Sequence, residues 1–159
     1  MKALTLLAFL SWLANAPASA ANVASCAISA TSISFGAYDP TSSTPVTPTG
    51  SISVTCNLVS GFSLLIAYTI TLSTGSSGSY LTRKMTGTAT PMSYNLYTNS
   101  GMTQVWGDGV TAGTSADSGG YLLGLGSVVL SYTVYAKLPA QQLVAAGIYA
   151  DNITASISY

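Results

Sequence analysis

Between Phe62 and Leu72 large apolar residues recur at every second position. Phe62, Leu64, Ile66, Tyr68, Ile70 and Leu72 stand against Ser63, Leu65, Ala67, Thr69 and Thr71. A period of two puts alternate side chains on opposite faces of an extended strand, which a helix of period 3.6 cannot do. The same alternation runs through Gly50–Cys56, where Ile52, Val54 and Cys56 oppose Ser51, Ser53 and Thr55. Further strands are expected over Met92–Tyr97, Ser127–Tyr135 and Tyr149–Tyr159, with two weaker ones flanking Ala30. At Ala30 the apolar parity slips from Ile28 and Ala30 to Ile33 and Phe35, the mark of a bulge or of a strand changing sheets. Between the strands lie DPTSSTPVTPTG, STGSSG, WGDGVTAGTSADSGG and LPAQQLVAAG, all with turn chemistry. A short helical turn is expected over Ala140–Ala146. Several strands separated by turns predict an all-β chain, folded as one antiparallel sandwich or barrel.

The first twenty residues serve export and not the fold. Lys2, the apolar run Ala3–Leu13 and the small residues Ala18-Ser19-Ala20 form a secretory signal peptide over 1–20, too short to span a bilayer. The folded domain is expected to occupy 21–159. Export implies an oxidising compartment, so Cys26 and Cys56 are expected to form a disulfide. Such a bridge closes a loop of about 30 residues and contributes about 3–4 kcal/mol on the chain-entropy account. By parity both sulfurs point into the core, which makes the bridge structural and not redox-active.

Charge excludes several functions. Only 5% of residues are charged and there is no histidine, against about 25% charged in an average domain. The surface must therefore be built from Ser, Thr, Gly and Asn. Arg83, Lys84 and Lys137 face Asp39, Asp108, Asp117 and Asp151 beyond the leader. That set carries no basic patch for nucleic acid. Two cysteines without histidine cannot furnish a zinc site, and Asp108 and Asp117 lack the spacing of a calcium loop. No cofactor is expected either, since GSSGS lacks the Gly-Lys-Ser/Thr of a phosphate loop. With no histidine as base, and Asp39 and Asp108 in the turns YDPT and WGDG, no catalytic residue is expected. Asn152-Ile153-Thr154 matches a glycosylation sequon and is read as chance.

The final segment, GIYADNITASISY, puts Tyr149, Asp151, Ile153, Ala155, Ile157 and Tyr159 on one face. A terminal strand with an apolar face and free main-chain groups is a template for strand addition. Two other readings stay open at this point: a strand that closes the sandwich, and the last strand of an outer-membrane barrel.

Several linked motifs carry a resemblance. FGAYDPTSSTPVTPTGSISVTC, LSTGSSGSYLTRKM, MSYNLYTNSGMTQVWGDG and YAKLPAQQLVAAGIYADNITASISY together resemble the spore coat protein U domain family, across nearly the whole exported chain. That family is similar to the pilin subunits of archaic chaperone–usher pili. The resemblance implies an immunoglobulin-like antiparallel β-sandwich lacking one strand, and a non-catalytic subunit of a surface fibre, spore coat or biofilm structure. It implies three kinds of partner: a periplasmic chaperone, an outer-membrane usher and other pilin-like subunits. Strand pairing with the chaperone and with subunits maps onto Ile153, Ala155, Ile157 and Tyr159, and the family's disulfide onto Cys26 and Cys56. FGAYDP maps as a structural turn, and WGDG as a loop without an assigned role.

The chain departs from the family at Ala136 and at Gln141-Gln142, where Gly and Gly-Gln are common. It also offers only Ala21–Ser25 before its first cysteine, a reach of about 17 Å. The expectation is a subunit that accepts a strand without donating one, in a terminal or minor position. The competing expectation is a self-contained adhesive or carbohydrate-binding sandwich, with Tyr side chains and Trp106 on Gly-rich loops offered to sugars, although for Trp106 core packing is the favoured reading.

Overall fold

The structure, a computed structural model, describes residues 24–58, 64–87, 90–123 and 127–159. The signal peptide, Phe62 and Ser63 lie outside the described residues. Among the described residues ten strands run in chain order: β1 (Ala24–Ala30), β2 (Thr49–Leu58), β3 (Leu64–Leu72), β4 (Arg83–Met85), β5 (Met92–Tyr97), β6 (Val105–Trp106), β7 (Thr114–Ser115), β8 (Asp117–Leu123), β9 (Ser127–Lys137) and β10 (Ala155–Ser158). One sheet has the order β1-β2-β9-β5-β6-β7, with β4 also on β5, and the other has the order β10-β3-β8. Every named pairing is antiparallel except the short parallel contact of β6 with β7.

Alternation in the sequence becomes the core directly. Ile52, Val54 and Cys56 on β2 pack with Ile66, Tyr68, Ile70 and Leu72 on β3, and with Met92, Tyr94 and Leu96 on β5. Val134, Ala136 and Leu138 complete the interior. Burying one such aliphatic side chain stabilises the fold by about 1.5–3 kcal/mol. Cys26 and Cys56 stand directly opposite on β1 and β2 and form the disulfide. Cys56 is fully buried and Cys26 half-buried, so the bridge lies on the inner face.

The parity slip after Ala30 has a physical cause. Thr31 still donates its N–H to the Ser51 carbonyl, but the Ser51 N–H is taken by the Thr31 hydroxyl at 2.8 Å. A side chain thus replaces the next ladder carbonyl, and β1 ends. Ile33 then crosses over Gly50, where an added Cβ would collide with it.

Three expectations need correction. The last strand is shorter than Tyr149–Tyr159: only Ala155–Ser158 keeps regular pairing, because the Asp151 carboxylate binds Ser76 and the following Asn152 N–H and holds 151–154 in irregular backbone. No helical turn forms over Ala140–Ala146. The stretch WGDGVTAGTSADSGG is not all loop, since β7 and the start of β8 fall inside it. Its paired glycines serve packing: a Cβ on Gly119 would strike the Tyr132 and Tyr68 hydroxyls, which bond to each other at 2.5 Å.

Two buried side chains lock one flank of the sandwich. Trp106 is fully buried on β6, and its indole N–H donates across to the Ile70 carbonyl of β3 at 3.0 Å. The next residue continues the link, because the Leu72 N–H donates to the Gly107 carbonyl. Arg83 is also fully buried. Its guanidinium donates twice to the Ser73 carbonyl, once to the Trp106 carbonyl and once to Asn95 Oδ1, at 2.7–3.0 Å. The Tyr80 ring lies 5.6 Å from its charge centre. Burial pulls the Arg83 pKa down from its ordinary value, with Tyr94, Tyr80 and Asp151 opposing that. Replacing Arg83 with Met strands these acceptors in the interior. Urea unfolding of R83M is expected to show a loss of about 3–5 kcal/mol, with less effect from K84M on the exposed neighbour.

Candidate functional site

The opposite flank is not closed. β10 pairs with β3, Ala155 opposite Leu72 and Ile157 opposite Ile70, and among the described residues nothing pairs with its other edge. β1 comes close to β10 without pairing with it, and the segment Ser32–Ala37 that follows β1, with Gly36 in the left-handed region, makes no main-chain hydrogen bond among the described residues. Between these two unpaired walls lies a cavity of about 1020 Å³ that reaches down to core residues Ile52, Leu72, Met92, Leu96 and Val134. The geometry is that of a sandwich open along one seam.

Side chains on both walls alternate as paired strands do. Ile33 and Phe35 turn inward from one wall, and Phe35 meets the Tyr94 ring edge-on at 5.8 Å. Ile153, Ala155 and Ile157 turn inward from the other, each half-buried against the core. Of the four positions expected to pair with a partner, Ile153 and Ala155 line the groove, whereas Ile157 packs against the core further along β10. Tyr159 stands apart: it follows β10, is 57% exposed, and borders a shallow depression with Tyr68, Thr69 and Gly119. The wall from Ser32 to Tyr38 was not anticipated as part of a site, although the parity slip at Ala30 marks where it begins.

One end of the groove is polar. Asp151 Oδ1 accepts hydrogen bonds from the Ser76 N–H, the Ser76 hydroxyl and the Asn152 N–H, and Oδ2 accepts one from the Tyr94 hydroxyl at 2.7 Å. Partial burial pushes the Asp151 pKa up, but these donors outweigh it and leave the carboxyl below its usual value. Burial, followed by the bond to Asp151, raises the Tyr94 phenol well above its usual value. The remaining aspartates are committed locally. Asp39 binds the N–H and hydroxyl of Thr41, Asp117 takes the Ser118 N–H, and Asp108 gathers Val110, Thr111 and Thr114. Hydrogen bonds from Thr111 hold Asp108 far below the usual carboxylate range.

A strap over 139–150 forms the rim. The Gln142 side chain imitates a peptide group: Oε1 accepts from the Ser93 N–H and Nε2 donates to the Ser93 carbonyl, at 2.7 and 2.8 Å. The Gln142 N–H donates to the Tyr38 hydroxyl, which donates to the Pro139 carbonyl. Further along, Thr86 and Ala150 exchange main-chain hydrogen bonds. Between these anchors Val144 packs inward, whereas Leu143 and Ile148 are almost fully exposed. Beyond the resemblance at Gln141-Gln142, no sequence signal marked Gln142, because its partners are main-chain groups of a distant strand.

Comparison with known proteins identifies the fold's relatives. The Spore Coat Protein U domain matches residues 13–156. The chain belongs to the spore coat protein U domain family. It is 32% identical over 134 residues to Protein U of Myxococcus xanthus, covering 80% of this chain and 71% of that protein. Among solved structures it is similar to a chain in the complex of the chaperone CsuC with the tip adhesion subunit CsuE, from archaic chaperone–usher Csu pili of Acinetobacter baumannii. That match has a TM-score of 0.54 at 20% identity, covers 86% of this chain, and spans 40% of the matched chain's length. It establishes a shared fold: the antiparallel, immunoglobulin-like sandwich of pilus subunits.

Within this spore coat protein U domain, Trp106 is core and tie, not a platform for a ligand. The departure at Gln141 is also explained, because its φ is +56°, the left-handed region where glycine is at ease. Replacing Gln141 with Gly should relieve about 1 kcal/mol of backbone strain, offset in part by unfolded-chain entropy. A rise in thermal midpoint checks this, and a fall would contradict it. Acid stability follows from the carboxylates. Asp39, Asp108 and Asp151 all have folded pKa values below their unfolded ones. Their contribution is therefore full above the unfolded value near pH 4 and is lost as pH falls through the folded values. Urea midpoints should drop steadily below about pH 4, and D108N should flatten that slope.

Proposed function

We propose that this chain is an exported, non-catalytic structural subunit of a surface fibre or coat, assembled by a chaperone–usher route, whose open seam accepts a strand from another polypeptide. One observation carries the reading: the outer edge of β10 and the segment Ser32–Ala37, neither of them paired among the described residues, flank a groove floored by core side chains. An extended segment laid there gains main-chain hydrogen bonds on both sides and covers apolar surface that water otherwise wets. Membership of the spore coat protein U domain family supports this, as does the fold shared with a complex of a chaperone and a tip adhesion subunit.

In this reading the signal peptide 1–20 directs export and the domain 21–159 folds in the periplasm, where the Cys26–Cys56 bridge forms. A periplasmic chaperone first supplies the strand, and an outer-membrane usher then exchanges it for one from a pilin-like subunit. Ile153, Ala155 and Ile157 present the receiving edge, with Tyr159 continuing it. The four aspartates beyond the leader serve turns and tethers, which is the arrangement of a building unit.

Adding a synthetic peptide of alternating Ile and Ser to the purified domain tests the proposal. The domain alone is expected to self-associate, and the peptide to yield a stable monomer with a higher melting temperature. Substituting Asp for Ala155, on the groove face, should abolish the peptide effect, whereas Asp for Ser156, on the outer face, should preserve it. A domain that is monomeric, equally stable with and without peptide, and indifferent to A155D would refute the reading.

A further inference from the structure

The groove is lined almost throughout by apolar and neutral polar side chains, and among the described residues Asp151 is the one carboxylate on it. No lysine or arginine lines it, and no ion pair to Asp151 occurs among the described residues. The nearby Arg83 cannot serve, because it is fully buried and four of its five donors are taken by Ser73, Asn95 and Trp106. The Lys84 side chain is exposed to solvent. Asp151 thus presents a negative charge at the rim of an otherwise neutral cleft, with Arg83 acting on it through space and no cation in contact with it among the described residues. Its geometry is fixed: three donors hold Oδ1, the Tyr94 hydroxyl donates to Oδ2, and Gly75 packs against that oxygen.

Position along the edge makes this charge a register mark. Ile153, Ala155 and Ile157 turn inward at intervals of two, and the half-buried Asp151 continues that spacing through the irregular backbone of 151–154 that leads into β10. A strand laid against that edge presents its own side chains at the same interval. We infer that the strand filling this groove carries a lysine or arginine opposite Asp151, two residues beyond the last apolar side chain that it buries against Ile153. The inference rests on the proposed strand-accepting role and specifies the chemistry of the partner. The pattern is an alternating apolar segment with a basic residue at one end, before the run in a strand parallel to β10 and after it in an antiparallel one. The cation fixes register, since a slip of two residues would place either a charge against Ile153 or an apolar side chain against the carboxylate.

Fluorescence polarisation with labelled peptides of alternating Ile and Ser decides the matter. Each peptide differs only at one terminal position, which holds Lys, Met or Glu, and both chain directions are made. In one direction Lys should bind about three- to tenfold more tightly than Met, and Glu more weakly than Met. High salt should erode the difference between Lys and Glu but leave the Met peptide little changed. In D151N the preference for Lys over Met should disappear. If the Met peptide does not bind, the strand-accepting role fails, and this inference with it. If the Met peptide binds and Lys, Met and Glu are equivalent, the groove accepts strands without the charge-set register, and the inference alone is overturned. A preference for Lys that persists in D151N overturns it equally. Since the Lys-to-Glu comparison uses the wild-type domain, a D151N variant that failed to fold would not remove the test.

Discussion

A full positive charge sits at the junction of β3, β5 and β6 without a carboxylate in contact. Arg83 answers its desolvation with neutral acceptors, the carbonyls of Ser73 and Trp106 and the amide oxygen of Asn95. Such a group is costly to bury and more costly to leave unpaired, so it holds in place every chain segment that supplies an acceptor. Ser73 leaves β3 in one sheet, while Asn95 and Trp106 belong to the other. The guanidinium therefore joins the two sheets along one flank, beside the Trp106 indole and its bond to Ile70. No such joint bridges β10 to Ser32–Ala37 among the described residues, and there the two sheets stay apart.

The seam itself follows from how β10 is tethered. A terminal strand could close the sandwich by pairing on both edges, but among the described residues β10 pairs with β3 alone. Asp151 holds the approach to β10 against the Ser76 turn, and a Cβ on Gly75 would collide with that carboxylate. On the facing wall, Thr31 ends the β1 ladder with its own hydroxyl, which directs Ile33 and Phe35 inward without giving them a sheet partner. Two local hydrogen-bonding choices, far apart in sequence, thus leave the edge of β10 and the segment after β1 without partners among the described residues. An exposed pair of edges favours self-association in a solitary domain. In a subunit built to receive a strand they are the binding surface.

Much of the fold was legible in the residues. The alternation of Ile52, Val54 and Cys56 and of Ile66 through Leu72 announced their strands, and their faces, because a buried sheet face needs period two. The partner of Cys26 was legible too, since two cysteines in an exported chain leave one pairing. The inward set Ile153, Ala155 and Ile157 could be read from parity, and family resemblance supplied the idea of a missing strand. Less was visible in short elements. β4, β6 and β7 span two or three residues each, too few for any period, and β8 begins among glycines that read as a turn. Their glycines are there to admit neighbours, Gly119 for the Tyr68–Tyr132 pair and Gly107 for Thr114.

Sequence by itself determined an all-β chain with one disulfide, few charges, no histidine and an alternating C-terminal edge. Those properties depend on residue type and local spacing, which the chain carries before it folds. Only the tertiary structure decided that Trp106 is a core tie, that Arg83 is buried, that Gln142 pins a rim, and that Asp151 is the charge facing the groove. Each of these depends on contacts between segments tens of residues apart. Nothing in the sequence marks Arg83 as buried until Ser73, Asn95 and Trp106 converge on it, and Asp151 reads only as one member of a shared strand face until the seam opens beside it.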